Sequence, residues 1–277
     1  MSVKIFYFSG TGNSLLLGRK IAVQVKEAEL LPAISLYGGT SKKVEADAVG
    51  FVFPVYCLDM PDFIREIIDK NDFSRVEYFF AAVTCGGTPG NALSSLDRKL
   101  RTKGEKLNCG FEVKMGDNSI VYVTSQENLK QRMERLEDVS SEIAAMVNKR
   151  ETTGQVYEFK ADSALMKNQM NKALSMDFKI NMKSAIKEKC NLCGLCTEVC
   201  PVRNIKIVNG NVEWGDNCKL CFACLNWCPQ SAVCFGKIEP GPKQQYRCPG
   251  ISASDIICKG DEVQFFNKPD NNTEKVY

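Results

Sequence analysis

Eight cysteines between residues 190 and 228 are the residues of this 277-residue chain whose types and spacing most clearly predict chemistry. They form the run Cys-x-x-Cys-x-x-Cys-x-x-x-Cys-Pro twice, with every cysteine and proline of the second run shifted by the same number of residues. Such a repeat in constant register is very unlikely by chance. Thiolates at this spacing bind zinc or iron–sulfur clusters. The eight are Cys190, Cys193, Cys196, Cys200, Cys218, Cys221, Cys224 and Cys228.

Two features of the repeat disfavour zinc, which stays open as the alternative. Zinc modules use separated Cys-x-x-Cys pairs, whereas three cysteines here follow one another at steps of three, and each run ends in Cys-Pro. The repeat resembles that of bacterial two-cluster ferredoxins, in which the fourth cysteine of each run binds the other cluster. The resemblance implies one 4Fe-4S cluster on Cys190, Cys193, Cys196 and Cys228, and a second on Cys218, Cys221, Cys224 and Cys200.

An Asn-Gly pair at residues 209–210 lies between apolar residues and predicts a β-hairpin within the cysteine-rich segment. This agrees with the small α+β ferredoxin-like domain that the resemblance implies for residues 185–237. So short a segment buries too little surface to fold unaided, so we expect it to unfold without its clusters. The preceding residues, 151–184, are predicted to be a helical connector, with a basic interaction segment as the alternative.

The chain contains no histidine. This excludes histidine-based acid–base catalysis, Ser-His and Cys-His nucleophilic sites, and histidine metal ligands. No catalytic residue is therefore predicted, and the chemistry is expected to come from bound cofactors.

Apolar runs alternate with helical patterns over residues 1–150. This alternation predicts an α/β domain with a doubly wound parallel sheet, in which ligands bind at the carboxyl ends of the strands. The final helix is expected to begin with a capping box at Thr124 and Glu127 and to carry apolar residues at helical spacing, namely Leu129, Met133, Leu136, Ile143 and Val147. Strands are predicted at Val3–Phe8, Ala48–Val55, Tyr78–Val83 and Leu107–Val113, and helices at Leu15–Val25, from Pro61, at Asn91–Arg101 and from Thr124 to Val147.

The uncharged stretch FSGTGNS follows the first predicted strand. Backbone N–H groups at the start of a helix bind phosphate without a Lys or Arg. Leu15 stands where a triphosphate loop or a dinucleotide loop needs its last glycine, so neither motif is present. The stretch instead resembles the phosphate loop of flavodoxins, although an ordinary Gly-rich turn is the alternative. The resemblance implies a flavin mononucleotide (FMN) phosphate bound by Ser9, Gly10, Thr11, Gly12, Asn13 and Ser14.

Two further loops follow the predicted strands that end near residues 55 and 83. Flavodoxin-like proteins wrap the isoalloxazine ring with the corresponding loops, which implies that Tyr56 stacks on the ring. An ordinary half-buried tyrosine is the alternative for Tyr56. The residues implied for the ring are Pro54, Val55, Tyr56, Thr84, Cys85, Gly86, Gly87 and Thr88.

Together the two modules resemble the fused flavodoxin–ferredoxin electron-transfer proteins of anaerobes. The resemblance implies relay of electrons between FMN and two 4Fe-4S clusters, exchanged with redox partner proteins. The alternative is a flavin-dependent reductase of a quinone or nitro compound, so whether the chain is an enzyme stays open, with a carrier favoured.

Composition and charge limit the remaining possibilities. The formal charge of +3 is small and the Lys and Arg residues are spread along the chain, so we expect no nucleic-acid binding, no membrane span and a cytoplasmic location. Residues 238–277 receive no assignment. The six cysteines outside the repeat are expected to be small buried apolar side chains, with Cys57 and Cys85 as the exceptions to examine: Cys57, Cys85, Cys109, Cys234, Cys248 and Cys258.

Overall fold

The structure is a computed structural model. It describes residues 2–118, 123–153, 157–158, 160–177, 183–236, 239, 241 and 244–257. Cys258 and the rest of the chain after it therefore lie outside the described residues.

Five parallel strands form a sheet in the order β2-β1-β3-β4-β5. This is the flavodoxin-like order, and it confirms the predicted doubly wound fold. Pairing of Tyr7 with Val52, and of Pro54 with Thr84, makes β1, β3 and β4 end at one edge of the sheet. The strands are β1 (Val3–Tyr7), β2 (Ala28–Pro32), β3 (Ala48–Pro54), β4 (Tyr78–Cys85) and β5 (Cys109–Lys114).

Helices cover both faces of this sheet, since every residue of β3 and β4 is buried. The helices of this half are α1 (Asn13–Ala22), α2 (Asp62–Lys70), α3 (Ala92–Arg101), α4 (Gln126–Glu134) and α5 (Leu136–Asn148), and a 3-10 helix spans Ala33–Leu36. Among the residues that the structure describes, no helix combines the length and the apolar character needed to cross a membrane.

Two sequence predictions about this half were wrong. Strand β2 was missed because it is short, partly exposed and ends in proline, so it lacks the apolar pattern of a buried strand. The predicted long final helix is two helices that meet at Arg135, and α4 buries none of its residues. Its N-cap is Ser125, whose hydroxyl accepts from the Asn128 N–H at 3.3 Å, whereas the Thr124 hydroxyl accepts from the Asp117 N–H.

A long helix, α6 (Ala161–Asp177), lies within the predicted connector. The cysteine-rich segment then begins and ends in one antiparallel pair, β6 (Lys183–Ala185) with β9 (Val233–Phe235). Between them, β7 (Ile205–Val208) and β8 (Asn211–Trp214) form the predicted hairpin, with Asn209 and Gly210 at positive φ as a tight turn requires. Two short helices, α7 (Leu195–Glu198) and α8 (Ala223–Asn226), contain the third cysteine of each run.

Candidate functional site

The eight repeated cysteines form two groups that cross between the runs. Four thiols line one cavity, and their residues are Cys190, Cys193, Cys196 and Cys228; we call this group site I. The other four lie near one another: burial raises the pKa of three of them, and the charges of neighbouring thiols of the group raise it further. They are Cys200, Cys218, Cys221 and Cys224, and we call this group site II. Each site therefore takes its fourth thiol from the other run.

The four thiols of site I are arranged around a cavity, which is the arrangement that a cluster requires. A tetrahedral zinc ion holds every sulfur within about 2.3 Å of one point. A 4Fe-4S cluster joins each thiolate to a different iron and so requires a wider arrangement around a cavity. The donor set is thus suited to iron–sulfur clusters.

The surroundings of the thiols also fit this group. Burial, followed by the charges of neighbouring cysteines, raises the pKa of Cys196 to about 11. Such buried thiolates need a metal to neutralise them. Backbone N–H groups donate to sulfur at both sites, from Asn204 to Cys200 at 3.2 Å and from Ala232 to Cys228 at 3.3 Å. Bonds of this kind stabilise a metal-bound thiolate.

The start of α1 is buried and uncapped. Gly12 is its N-cap, with φ of 104° and no side-chain cap. The next three residues, Asn13, Ser14 and Leu15, are 6%, 0% and 2% exposed. Their N–H groups have no acceptor within the helix, and none donates to another described residue. Buried N–H groups without a partner cost about 1–3 kcal/mol each, so this position fits an anion such as a phosphate.

Side chains of the loop hold its shape. The Ser9 hydroxyl accepts from the Gly12 N–H at 3.0 Å, and the Asn13 amide donates to the Gly116 carbonyl at 2.7 Å. The Ser14 and Thr84 hydroxyls are 2.9 Å apart. Of the polar side chains predicted to bind phosphate, Asn13 and Ser14 thus have structural partners, and Thr11 is buried. The backbone N–H groups are the donors that stay available to an anion.

The two other predicted loops lie beside this one. The Val55 N–H donates to the Thr84 carbonyl at 2.9 Å, which joins the ends of β3 and β4. The Tyr56 ring contacts that of Phe8 at a centroid distance of 6.1 Å. Tyr56 is only partly buried, yet its hydroxyl is out of contact with solvent and has no hydrogen-bond partner in the structure. The loops predicted around the flavin ring therefore share one edge of the sheet.

Site II packs directly on the phosphate loop, which the sequence did not indicate. The Trp227 indole N–H donates to the Gly10 carbonyl at 2.9 Å. A Cβ on Gly10 would lie 2.2 Å from the Cys221 carbonyl oxygen, so only glycine permits this approach. Burial raises the pKa of Tyr56, and the nearby Cys221 and Cys218 raise it further. The two predicted cofactor sites thus share an interface.

The unassigned C-terminal residues also contact the loop. The Cys248 N–H donates to the Thr11 carbonyl at 2.8 Å, and the Tyr246 hydroxyl donates to the Asn13 amide oxygen at 2.7 Å. The segment 244–257 therefore covers the phosphate loop. The sequence carried no signal for this contact, because the segment has no periodic pattern and only a four-residue helix, α9 (Ala253–Ile256).

Residues 185–206 match the family model described as 4Fe-4S binding domain. This stretch contains the first cysteine run, and it supports at least one 4Fe-4S cluster in the chain. No curated protein matches the chain.

Three solved structures are similar to about half of the chain. An NAD(P)H:quinone oxidoreductase from Methanothermobacter marburgensis is 12% identical, with 52% of this chain and 96% of that chain covered and a TM-score of 0.33. The Trp repressor binding protein from Bacillus subtilis is 14% identical, with 50% and 96% covered and a TM-score of 0.35. An azoreductase from Bacillus anthracis str. Sterne is 14% identical, with 54% and 100% covered and a TM-score of 0.36. The sheet order and the 4Fe-4S match together support a flavodoxin-like domain followed by an iron–sulfur segment.

Two cysteines outside the repeat, Cys57 and Cys85, are predicted to be unreactive at neutral pH. Burial raises the pKa of the Cys57 thiol and raises that of Cys85 to about 11, so both stay protonated. We expect iodoacetamide to label both far more slowly than a free thiol at pH 7, and to label Cys85 about tenfold faster with each pH unit up to about 11. Mass spectrometry of peptides from the anaerobic protein measures this. Labelling of either residue at pH 7 at the rate of a free thiol would contradict the assignment.

Proposed function

We propose that the chain is an electron-transfer protein that binds FMN at the start of α1 and 4Fe-4S clusters at sites I and II. The observation that carries this proposal is the interface at Gly10, where site II meets the phosphate loop through Trp227 and Cys221. When bound, FMN exchanges one or two electrons and each cluster exchanges one, so a chain holding both links two-electron to one-electron reactions.

Different described residues would bind different parts of FMN. The N–H groups of Asn13, Ser14 and Leu15 would bind the phosphate, since they are buried and lack other acceptors. The loops that begin at Val55 and Thr84 would hold the ring, with Tyr56 beside it. Segment 244–257 would exclude water from the phosphate, because it covers Thr11 and Gly12.

The two thiol sites differ in exposure, which gives them different roles. Cys193 of site I is exposed, and the adjacent Leu192 is 42% exposed. Cys221 and Cys224 of site II are buried. We therefore assign site I to exchange with redox partner proteins and site II to exchange with the flavin.

The proposal assigns a role to each part of the chain. Residues 1–150 bind FMN, residues 151–184 connect, and residues 185–237 hold the clusters. Pairing of β6 with β9 closes the last of these units on itself. Of residues 238–277, the described segment 244–257 belongs to the FMN site.

The cofactor content tests the proposal directly. Protein purified without oxygen is expected to contain about eight irons, an equal amount of sulfide and one FMN per chain. Iron, sulfide and flavin analysis with a visible spectrum measures this. Zinc in place of iron would contradict the cluster assignment, and iron without flavin would contradict the flavin assignment. Turnover of quinones or nitro compounds with a low-potential donor would favour the reductase alternative.

The phosphate assignment predicts a selective effect of charge at Ser9. In Ser9→Asp the carboxylate still accepts from the Gly12 N–H but repels a phosphate, so FMN affinity should fall by about tenfold or more. Riboflavin, which lacks the phosphate, should bind as it does to the unmodified chain. Titration of the flavin-free protein with each flavin, followed by fluorescence, measures both affinities.

The neutral variant Ser9→Asn is the matched control and should keep the FMN affinity within a few fold. An equal loss of FMN and riboflavin affinity in Ser9→Asp would place the phosphate elsewhere.

A further inference from the structure

A lysine lies against site II. The Lys183 ammonium donates a hydrogen bond to the Cys218 sulfur and lies 5.5 Å from the centre of the Phe235 ring. Burial raises the pKa of Cys200 and of Cys224, and the Lys183 charge opposes that rise. Because Lys183 stands on β6, which pairs with β9, its position is held by the sheet that closes the segment. One positive charge is therefore in contact with a thiol of site II.

A tyrosine hydroxyl approaches site II from the opposite domain. The Tyr56 hydroxyl is buried and unpartnered, and Cys221 and Cys218 are the charged neighbours that act on it. A phenol is a hydrogen-bond donor, and a buried donor without an acceptor is costly. A cluster bound at site II would bring a sulfur acceptor to this hydroxyl.

Site I has different surroundings. The charged groups that act on Cys196 are the other three thiols of the site, Cys228, Cys190 and Cys193. Arg247 reaches Cys228, but its guanidinium donates to the backbone carbonyl, at 3.4 Å, and stacks near Trp227. A cation in contact with a thiol, and a buried hydroxyl without a partner beside the thiols, are thus features of site II.

We infer that Lys183 and Tyr56 give the cluster at site II a higher reduction potential than the cluster at site I, so that electrons flow inward. This inference rests on the proposed function. Reduction adds negative charge, and a nearby cation and donors to sulfur stabilise the reduced state. Each transfer moves one electron from site I to site II and makes or breaks no bond.

Two variants test the inference independently. Lys183→Gln removes the charge, and Tyr56→Phe removes only the hydroxyl. In a potentiometric titration followed by electron paramagnetic resonance, each should lower the higher of the two cluster potentials and leave the lower one in place. For Lys183→Gln we expect about a tenfold change in the ratio of oxidised to reduced cluster, which is about 59 mV for one electron. Lys187→Gln is the matched control, since it removes a charge from an exposed position of the same segment.

The outcomes separate this inference from the proposed function. With both clusters present, three results would overturn the inference. Only the lower potential changes, both potentials change equally, or neither variant changes a potential. A chain that binds fewer than two clusters would overturn the proposed function and the inference with it. Iron analysis and the melting temperature of each variant show which case applies.

Discussion

The contact between Gly10 and the chain at Cys221 is the constraint on which the rest of this structure depends. It brings the backbone of the phosphate loop against a residue of site II with no side chain between them. The Trp227 indole fixes that approach with a buried hydrogen bond. Because both partners are backbone groups held at the ends of regular elements, the separation of the two sites is set by the fold and not by flexible side chains.

The cysteine-rich segment has a small apolar core of its own. Its separate cluster of buried apolar residues consists of Ile205, Cys224, Leu225, Val233 and Phe235. Other residues of the segment, among them Val199, Cys221 and Trp227, belong to the core of the flavodoxin-like half. The folded state of the segment therefore depends on its thiol sites and on packing against the larger domain. The Lys219 side chain, which is 11% exposed, also joins the segment to the larger domain through an ion pair with Glu66.

The sequence was sufficient for features that have a local or repetitive signal. The buried strands β3 and β4 are continuous apolar runs, and the Asn-Gly turn and the cysteine register are local patterns. The contacts between the halves have no such signal. A glycine at position 10 is compatible with any Gly-rich turn, so it does not indicate the contact with Cys221. Tyr246 and Cys248 lie in an aperiodic segment, so the packing of these two residues on the loop is visible only in three dimensions. For the same reason the sequence predicted residues for an FMN site but did not indicate the structural roles of Asn13 and Ser14.

The central claim is that electrons pass between FMN and the clusters within one chain. The most direct test is flash photoreduction of the complete protein through a low-potential photosensitiser, with the absorbance of the clusters and of the flavin followed over time. The account predicts that the clusters are reduced first and are reoxidised as the flavin is reduced, at a rate that does not change with protein concentration. A rate proportional to protein concentration, or reduced clusters that never reduce the flavin, would contradict it.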